Sequence, residues 1–137
     1  MRLAAIQLFA TPFALEANPS RAATLIGQAQ EQGAQLALLP ELFNSGYTFP
    51  IQNFKAAEPL DGPTVSWLRG MARTYGLYVG GSFLRSDHDR VFNSLVLAGP
   101  SGDMHIYNKS HPFLWESSYF ERGVQPVIAE TELGALA

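Results

Sequence analysis

The stretch from Gln35 to Leu39, apolar after its first residue, ends at Pro40 and is followed directly by Glu41. An uninterrupted apolar run of this length is typical of a strand buried on both faces of a sheet. Proline cannot donate to a sheet ladder and fixes φ, so the strand is expected to end there. Glu41 then lies just past the carboxyl end of the strand, where open α/β sheets usually build their sites. The same acid also fits the first turn of a following helix, and this stretch alone leaves both interpretations open.

The chain before this strand has the pattern of a strand–helix–strand unit. Leu3 to Phe9 is predicted as a buried first strand. Asn18 and Pro19 form a helix start signal, an N-cap followed by proline at the first helical position, and the helix is predicted to run to about Gln32. Strands joined by such a helix are parallel with a right-handed crossover, so both carboxyl ends face the same edge of the sheet.

The rest of the chain predicts one more long helix and three more strands. Asp61-Gly62-Pro63 starts a helix that runs to about Tyr75. Short links join the strands that follow, which predicts an antiparallel meander beside the parallel pair: Leu77 to Leu84, Val91 to Ala98 and Met104 to Asn108. The predicted fold class is therefore α/β, with a mixed sheet and the helices on one face.

The segment between Asn44 and Pro59 is predicted to be an irregular loop. Glycine and proline interrupt it, and it carries three aromatic side chains expected at the surface, Tyr47, Phe49 and Phe54. Because loops of this length in compact domains tend to be functional, the segment is a candidate part of a site.

Composition narrows the classes of function. A chain of 137 residues, 47% of them hydrophobic, predicts one globular domain. Its 15% of charged residues is low, which predicts that part of its surface is buried against more protein. The net charge of −3 and the scattered basic residues argue against nucleic-acid binding. The apolar start, Met1 to Ala10, is too short and too interrupted for a signal sequence or a membrane span, so a cytoplasmic protein without a membrane partner is expected.

Neither a metal site nor a nucleotide site is predicted. The sequence contains no cysteine, which excludes disulfides and thiolate ligands within it. Asp87-His88-Asp89 has ligand-type side chains, but consecutive residues of a turn diverge, so a solvated hairpin tip is the preferred interpretation. Gly80 and Gly81 lie inside a strand instead of opening a helix, which does not match either glycine-rich fingerprint.

A second stretch, Tyr107 to Gly123, concentrates charged and aromatic residues. Lys109 ends a predicted strand and is followed by an aromatic loop that contains Glu116. A lysine in apolar surroundings either loses its proton or pairs with a carboxylate, and Glu41 and Glu116 are the candidates. The alternative is a lysine that extends its head group into solvent beside a surface glutamate.

Two ordered motifs distinguish these interpretations. Pro40-Glu41-Leu42-Phe43 with Gly46-Tyr47 forms the first, and Tyr107-Asn108-Lys109-Ser110-His111-Pro112-Phe113 with Glu116 and Phe120-x-x-Gly123 forms the second. Together they resemble the nitrilase superfamily of carbon–nitrogen hydrolases. The resemblance covers the whole chain, including Gln7 in the opening strand and the Phe92-Asn93-Ser94 strand.

The resemblance implies one half of an αββα sandwich and a Glu-Lys-Cys triad that hydrolyses small amides or nitriles without a cofactor. Glu41 matches the general base and Lys109 the cation that stabilises the tetrahedral oxyanion. Glu116 matches the second glutamate, which orients the lysine and the substrate. The resemblance further implies a homo-oligomer and a pocket lined by Phe43, Tyr47 and Trp115.

The chain departs from the family in lacking the cysteine nucleophile. Leu133 to Ala137 is similar to the start of the segment that leads to it, so residues 1–137 are expected to be the amino-terminal part of a single domain, truncated at the carboxyl end. By themselves they are expected to lack acyl-enzyme chemistry. The alternative is a catalytically inactive half or partner subunit that folds by docking on a complementary chain.

Overall fold

A computed structural model of the protein describes residues 1–47 and 50–137, apart from the side chains of Pro50, Ile51 and Asn53. The described part contains three α-helices, one short 3₁₀ helix and seven strands. In chain order they are β1 (Leu3–Ala5), α1 (Ala17–Glu31), β2 (Leu36–Leu38), α2 (Pro50–Lys55), α3 (Pro63–Tyr75), β3 (Tyr78–Asp87), β4 (Arg90–Ala98), β5 (Met104–Asn108), the 3₁₀ helix (Leu114–Ser118), β6 (Ala129–Thr131) and β7 (Gly134–Leu136).

The main sheet has five strands in the order β1-β2-β3-β4-β5. Strands β1, β2 and β3 are parallel, whereas β3, β4 and β5 form an antiparallel meander. This pairing confirms the predicted mixed sheet. Helical segments connect the parallel strands, and short turns connect the antiparallel ones.

Helices α1 and α3 pack on one face of this sheet. Their apolar side chains meet those of the strands in a buried core that includes Ala22, Ile26, Val65, Leu68, Val79 and Val96. The opposite face carries the small hairpin of β6 and β7, whose Ala129 and Leu136 pack against Leu36 and Leu97. The two long helices, α1 and α3, thus lie on one face of the sheet, as predicted.

The start of α1 differs from the prediction. The N-cap position is Glu16 instead of Asn18, which lies inside the first turn and is buried. The Asn18 side chain hydrogen-bonds both backbone groups of Thr11 and donates to the carbonyl oxygen of Asn44. Asn18 therefore joins the loops that follow β1 and β2, a tertiary role that its sequence pattern does not distinguish from capping.

Two segments contain more regular structure than predicted. The stretch between Asn44 and Pro59, expected to be irregular, contains helix α2, while Tyr47 and Phe54 are exposed as expected and Phe49 lies outside the described residues. Near the carboxyl end, Gly134 to Leu136 is the second strand of the hairpin with β6. No helix within residues 1–47 and 50–137 has the length and apolar character needed to cross a bilayer.

The β3–β4 hairpin extends well past the end of β2. Strand β2 pairs with β3 through Gly80, but β3 continues to Asp87 and stays paired with β4 over this whole extension. The chain that leaves β2 therefore runs beside the extended hairpin, and β4 can present side chains to it. This overlap positions the charged cluster described next.

Candidate active site

Three charged side chains meet at the rim of the sheet. Glu41 follows β2, Lys109 follows β5, and Glu116 lies in the 3₁₀ helix. The Lys109 Nζ atom is 2.8 Å from Oε1 of Glu41 and 2.9 Å from Oε2 of Glu116. The ammonium group thus bridges two carboxylates that come from distant parts of the chain.

The three side chains of the cluster differ in their exposure to solvent. The side chain of Glu116 is 0% exposed, that of Lys109 is 28% exposed and that of Glu41 is 47% exposed. The cluster is therefore dry at the Glu116 end and accessible to solvent at the Glu41 end. The Coulomb attraction to Lys109 is correspondingly stronger for Glu116, because solvent screens the outer pair.

Glu116 is held as a carboxylate inside the protein. Burial raises its pKa, but the backbone N–H of Phe113, the Lys109 ammonium and the Tyr47 hydroxyl together lower it further than burial raises it. Its pKa consequently lies below the ordinary value. The second oxygen, Oε1, is buried and accepts no hydrogen bond that meets normal geometry from the described residues. Glu116 is therefore a completely buried carboxylate that stays charged.

Lys109 stays protonated. Burial alone lowers the pKa of an ammonium group, but the hydrogen bonds to Glu41 and Glu116 and the charges of both carboxylates raise it above the ordinary value. A lysine in this state is a fixed positive charge and a poor nucleophile.

Asn93 on β4 belongs to the cluster, although the sequence analysis gave it no role. Its side-chain Nδ2 donates to Oε1 of Glu41 at 2.6 Å, and its backbone oxygen accepts from the Lys109 N–H at 2.9 Å. The signal in the sequence was an asparagine, next to Ser94, inside the mainly apolar run Val91 to Ala98.

The backbone turn that carries Glu41 is strained and firmly anchored. Leu42 has a left-handed φ of +49° although its side chain is completely buried. Its N–H donates to Oγ of Ser82 on β3 at 2.9 Å. Two residues later, the Asn44 side chain donates to Oγ1 of Thr64 in α3 at 2.8 Å. Contacts with a strand and a helix therefore hold this unfavourable conformation in place.

A family model described as carbon-nitrogen hydrolase matches residues 2–137, almost the entire chain. The chain belongs to the carbon–nitrogen hydrolase family. This confirms the family predicted from the two motifs.

Individual members of this family are similar to the chain over most of its length. It is 40% identical to a nitrilase of Pyrococcus abyssi over 109 residues, which cover 77% of the chain and 42% of the relative. It is 35% identical to omega-amidase NIT2 of Xenopus tropicalis over 117 residues, which cover 82% of the chain and 41% of the relative. The chain thus spans about two fifths of the length of these curated relatives.

Solved structures agree with the fold. The carbon–nitrogen hydrolase superfamily protein XC1258 of Xanthomonas campestris has a TM-score of 0.88 and 30% identity, covering 96% of this chain and 49% of its own. An amidase from Nesterenkonia sp. has a TM-score of 0.83 and 29% identity, covering 94% of this chain and 51% of its own. The predicted fold class is thereby confirmed.

Of the three aromatic residues predicted to line a pocket, Tyr47 and Trp115 lie together and Phe43 lies elsewhere. The rings of Tyr47 and Trp115 meet edge to face with centroids 5.5 Å apart. Burial and the neighbouring Glu116 carboxylate raise the pKa of Tyr47, so its hydroxyl stays protonated. Phe43 is completely buried, packs on Gly81 and has its centroid 5.4 Å from that of Trp67 in α3. Phe43 is thus a core residue under the helices, which differs from the pocket-lining role predicted for it.

Gly123 fixes the end of β5, next to Lys109. Its N–H donates to the carbonyl oxygen of Lys109 at 3.0 Å. A Cβ atom at this position would lie 2.0 Å from the carbonyl oxygen of Asn108, so the two backbone segments approach too closely for any other residue. We expect Gly123→Ala to lower the free energy of unfolding by about 1–3 kcal/mol or more, because the added methyl group overpacks the site. Urea denaturation measures this change.

Gly70→Ala is the matched control for Gly123→Ala. Gly70 lies inside α3, and nothing lies within 4 Å of a Cβ atom added there. We expect this change to raise the free energy of unfolding by about 0.5–1 kcal/mol, because alanine is the better helix former. Equal effects of the two substitutions would contradict the close contact assigned to Gly123.

Proposed function

We propose that this chain supplies the glutamate–lysine–glutamate part of an active site that hydrolyses a small amide through a thioester. The nucleophilic cysteine of this site lies outside residues 1–137, since the sequence contains none. The single observation that carries the proposal is the Lys109 ammonium, hydrogen-bonded at once to Glu41 and to the fully buried Glu116. No cofactor takes part in the proposed reaction.

Glu41 acts as the general base in this proposal. It accepts the thiol proton, and the thiolate attacks the amide carbon. When the tetrahedral intermediate collapses, Glu41 returns that proton to the departing nitrogen, which leaves as ammonia or an amine. A water molecule then gives a proton to Glu41 and attacks the thioester, and the acid is released as the thiol is restored. The half-exposed position of Glu41 at the outer end of the cluster leaves its carboxylate accessible to such partners.

Lys109 stabilises the oxyanion of the two tetrahedral intermediates. A fixed positive charge stabilises a transition state selectively when it is already oriented before the reaction begins. Two carboxylates orient the Lys109 ammonium and keep it protonated, which supports this role over that of a nucleophile. Removing one oxyanion donor from an enzyme typically lowers kcat by about 10²–10³-fold.

Glu116 orients Lys109 and, through it, the substrate. Its Oε2 atom accepts from the lysine, and its side chain is completely buried, so it acts through Lys109. The omega-amidases and the amidase among the relatives support an amide as the substrate and give nitriles second rank. Tyr47 and Trp115 would form the wall of the pocket beside Glu116.

The experiment begins with the coding sequence downstream of Ala137. We expect an open reading frame that continues into a segment with a cysteine. The protein expressed from that frame is then assayed for ammonia release from a panel of small amides, with the matching nitriles as comparison. A stop codon directly after Ala137, continuation without a cysteine, or an intact protein that releases no ammonia would contradict the proposal.

The second candidate function is an inactive half that folds against a complementary chain or a second copy. One observation favours it: the sheet face opposite the helices bears an apolar groove lined by Leu3, Leu36, Leu38, Leu95 and Leu97. Size-exclusion chromatography with light scattering distinguishes the two candidates. Both candidates expect the 137-residue chain to be inactive, so a stable folded oligomer of that chain is the result that favours the inactive half, and a frame that continues into an active enzyme contradicts it.

A further inference from the structure

We propose that Asn93 is a positioning residue that sets the orientation of the Glu41 carboxylate. In this role it holds the Oε1 atom of Glu41 against Lys109 and leaves Oε2 as the atom that exchanges protons. The inference rests on the proposed function, because it assigns a task to the general base of that reaction.

Asn93 contacts both partners of the outer ion pair. Its Nδ2 donates to Oε1 of Glu41 at 2.6 Å, while its backbone oxygen accepts from the Lys109 N–H at 2.9 Å. The Lys109 ammonium completes the triangle by donating to the same Oε1 atom at 2.8 Å. A single residue of β4 therefore fixes the base from one side and the strand end that carries the cation from the other.

The two hydrogen bonds make the oxygens of Glu41 unequal. Both bonds that the described residues donate to this carboxylate end on Oε1. An oxygen that accepts an amide and an ammonium hydrogen bond is the weaker proton acceptor of the two, so the proton is taken up at Oε2. Glu41 is half-exposed, so its side chain would sample several rotamers if nothing held it. Asn93 is buried on an interior strand, so its amide stays in one position and restricts the Glu41 carboxylate.

Packing alone does not account for an asparagine at this position. Asn93 lies on a strand whose other buried residues include Val91, Phe92 and Val96, and a buried amide is unfavourable unless it is hydrogen-bonded. Its side-chain donor is directed at a half-exposed glutamate, a partner that solvent could replace. Ser94, the next residue, provides the contrast, since its Oγ donates to Oδ1 of Asn108 at 2.7 Å and accepts from Nε of Arg85 at 3.3 Å instead of bonding to Glu41, Lys109 or Glu116.

The test uses the protein expressed from the continued reading frame. Asn93→Leu removes the donor and keeps a branched side chain with the same number of heavy atoms, and Ser94→Ala is the matched control because it removes buried hydrogen bonds of the same strand. We expect Asn93→Leu to lower kcat by about 10- to 100-fold, as loss of a hydrogen bond to a charged group implies, with KM changed by less than about threefold. The rate at which iodoacetamide alkylates the nucleophile should fall with kcat, because Glu41 activates the thiol. Ser94→Ala is expected to lower the melting temperature and to leave kcat within about threefold.

Three results would overturn the inference. These are a kcat for Asn93→Leu within threefold of the wild type, a loss carried by KM alone, or an equal loss of kcat in Ser94→Ala. An NMR measurement separates this inference from the proposed function. The side-chain amide signal of Asn93 is expected to move when Glu41 is replaced by alanine, whether or not the wild type hydrolyses amides. An unchanged signal contradicts the hydrogen bond, and a shifted signal with an inactive wild type contradicts the proposed function and the task assigned to Asn93.

Discussion

Replacing Glu41 with glutamine is expected to lower kcat for amide hydrolysis by about 10²–10⁴-fold, the usual contribution of a positioned general base. Glutamine has nearly the same volume and keeps an oxygen that can accept from Asn93 and Lys109, but it cannot take up a proton at neutral pH. Since the Glu41 side chain is half-exposed, the free energy of unfolding should change by no more than about 1 kcal/mol. Steady-state ammonia release and urea denaturation of the same variant measure the two quantities.

Glu121→Gln is a suitable control for this substitution. Glu121 is an exposed glutamate whose backbone N–H pairs with Val91 at the start of β4, outside the charged cluster. The control should retain both activity and stability. If Glu41→Gln were as active as this control, the role of Glu41 as the base would be wrong. If Glu41→Gln unfolded much more easily than the control, its loss of activity would have to be attributed to a loss of folded protein.

Replacing Lys109 with methionine is expected to reduce activity and stability together. The loss of the charge that faces the oxyanion should lower kcat by about 10²–10³-fold. The same change leaves Glu116, which is completely buried, without its cation, and removal of one partner from a buried pair costs about 3 kcal/mol or more. Thermal unfolding and ammonia release give the two effects.

The pH dependence of stability should reverse in this variant. In the wild type the pKa of Glu116 is below its ordinary 4.5, so its contribution is complete above that pH and is lost as the pH falls through the lowered pKa. The pKa of Lys109 is above its ordinary 10.5, so its contribution is complete below that value and is lost as the pH rises through the raised pKa. Without Lys109, only the Phe113 N–H and the Tyr47 hydroxyl oppose burial. We expect burial, the largest single effect, then to raise the pKa of Glu116, so that the variant becomes more stable as the pH falls from 7.

A double variant separates charge from shape in this experiment. Adding Glu116→Gln to Lys109→Met removes the uncompensated buried charge, so much of the lost stability should return while activity stays low. A double variant as unstable as Lys109→Met would show that the cost comes from the lost lysine side chain instead of from the charge on Glu116.

The parts of the fold that local chemistry specifies were predictable. Pro63 and Gly76 delimit α3 as expected, because proline suits the first helical position and Gly76 takes a left-handed φ at the C-cap. The antiparallel meander follows from three apolar runs with short polar links, and β5 has the predicted bounds.

Features set by tertiary contacts were not predictable from local patterns. The first strand ends at Ala5, well before the predicted Phe9, because parallel pairing with β2 ends there. Asn18 was assigned to capping because nothing in its neighbourhood indicates the distant carbonyl of Asn44. The hairpin of β6 and β7 forms by packing on Leu36 and Leu97, which lie far away in sequence.

The residues of the candidate site differ in the same way in how far they could be predicted. Glu41, Lys109 and Glu116 were identifiable because two motifs carry them, and the structure brings their charged groups within hydrogen-bonding distance. Asn93 was named only within the strand that shares the resemblance, and Ser82 was not named. Neither was given a role, because their contacts with the turn after β2 are tertiary. The degree of exposure of Glu41 also depends on the packing around that turn.

The conformation of Leu42 limits which sequences this turn can accept. Glycine and asparagine tolerate its left-handed backbone best. The completely buried site, however, is filled only by a large apolar side chain. Glycine would leave an empty space beneath Glu41, asparagine would bring an amide into an apolar environment, and valine or isoleucine would clash with the backbone. In a saturation library, position 42 should therefore retain almost no substitutions, and those that survive should carry compensating changes at Leu84 or Phe120, which belong to the same apolar cluster.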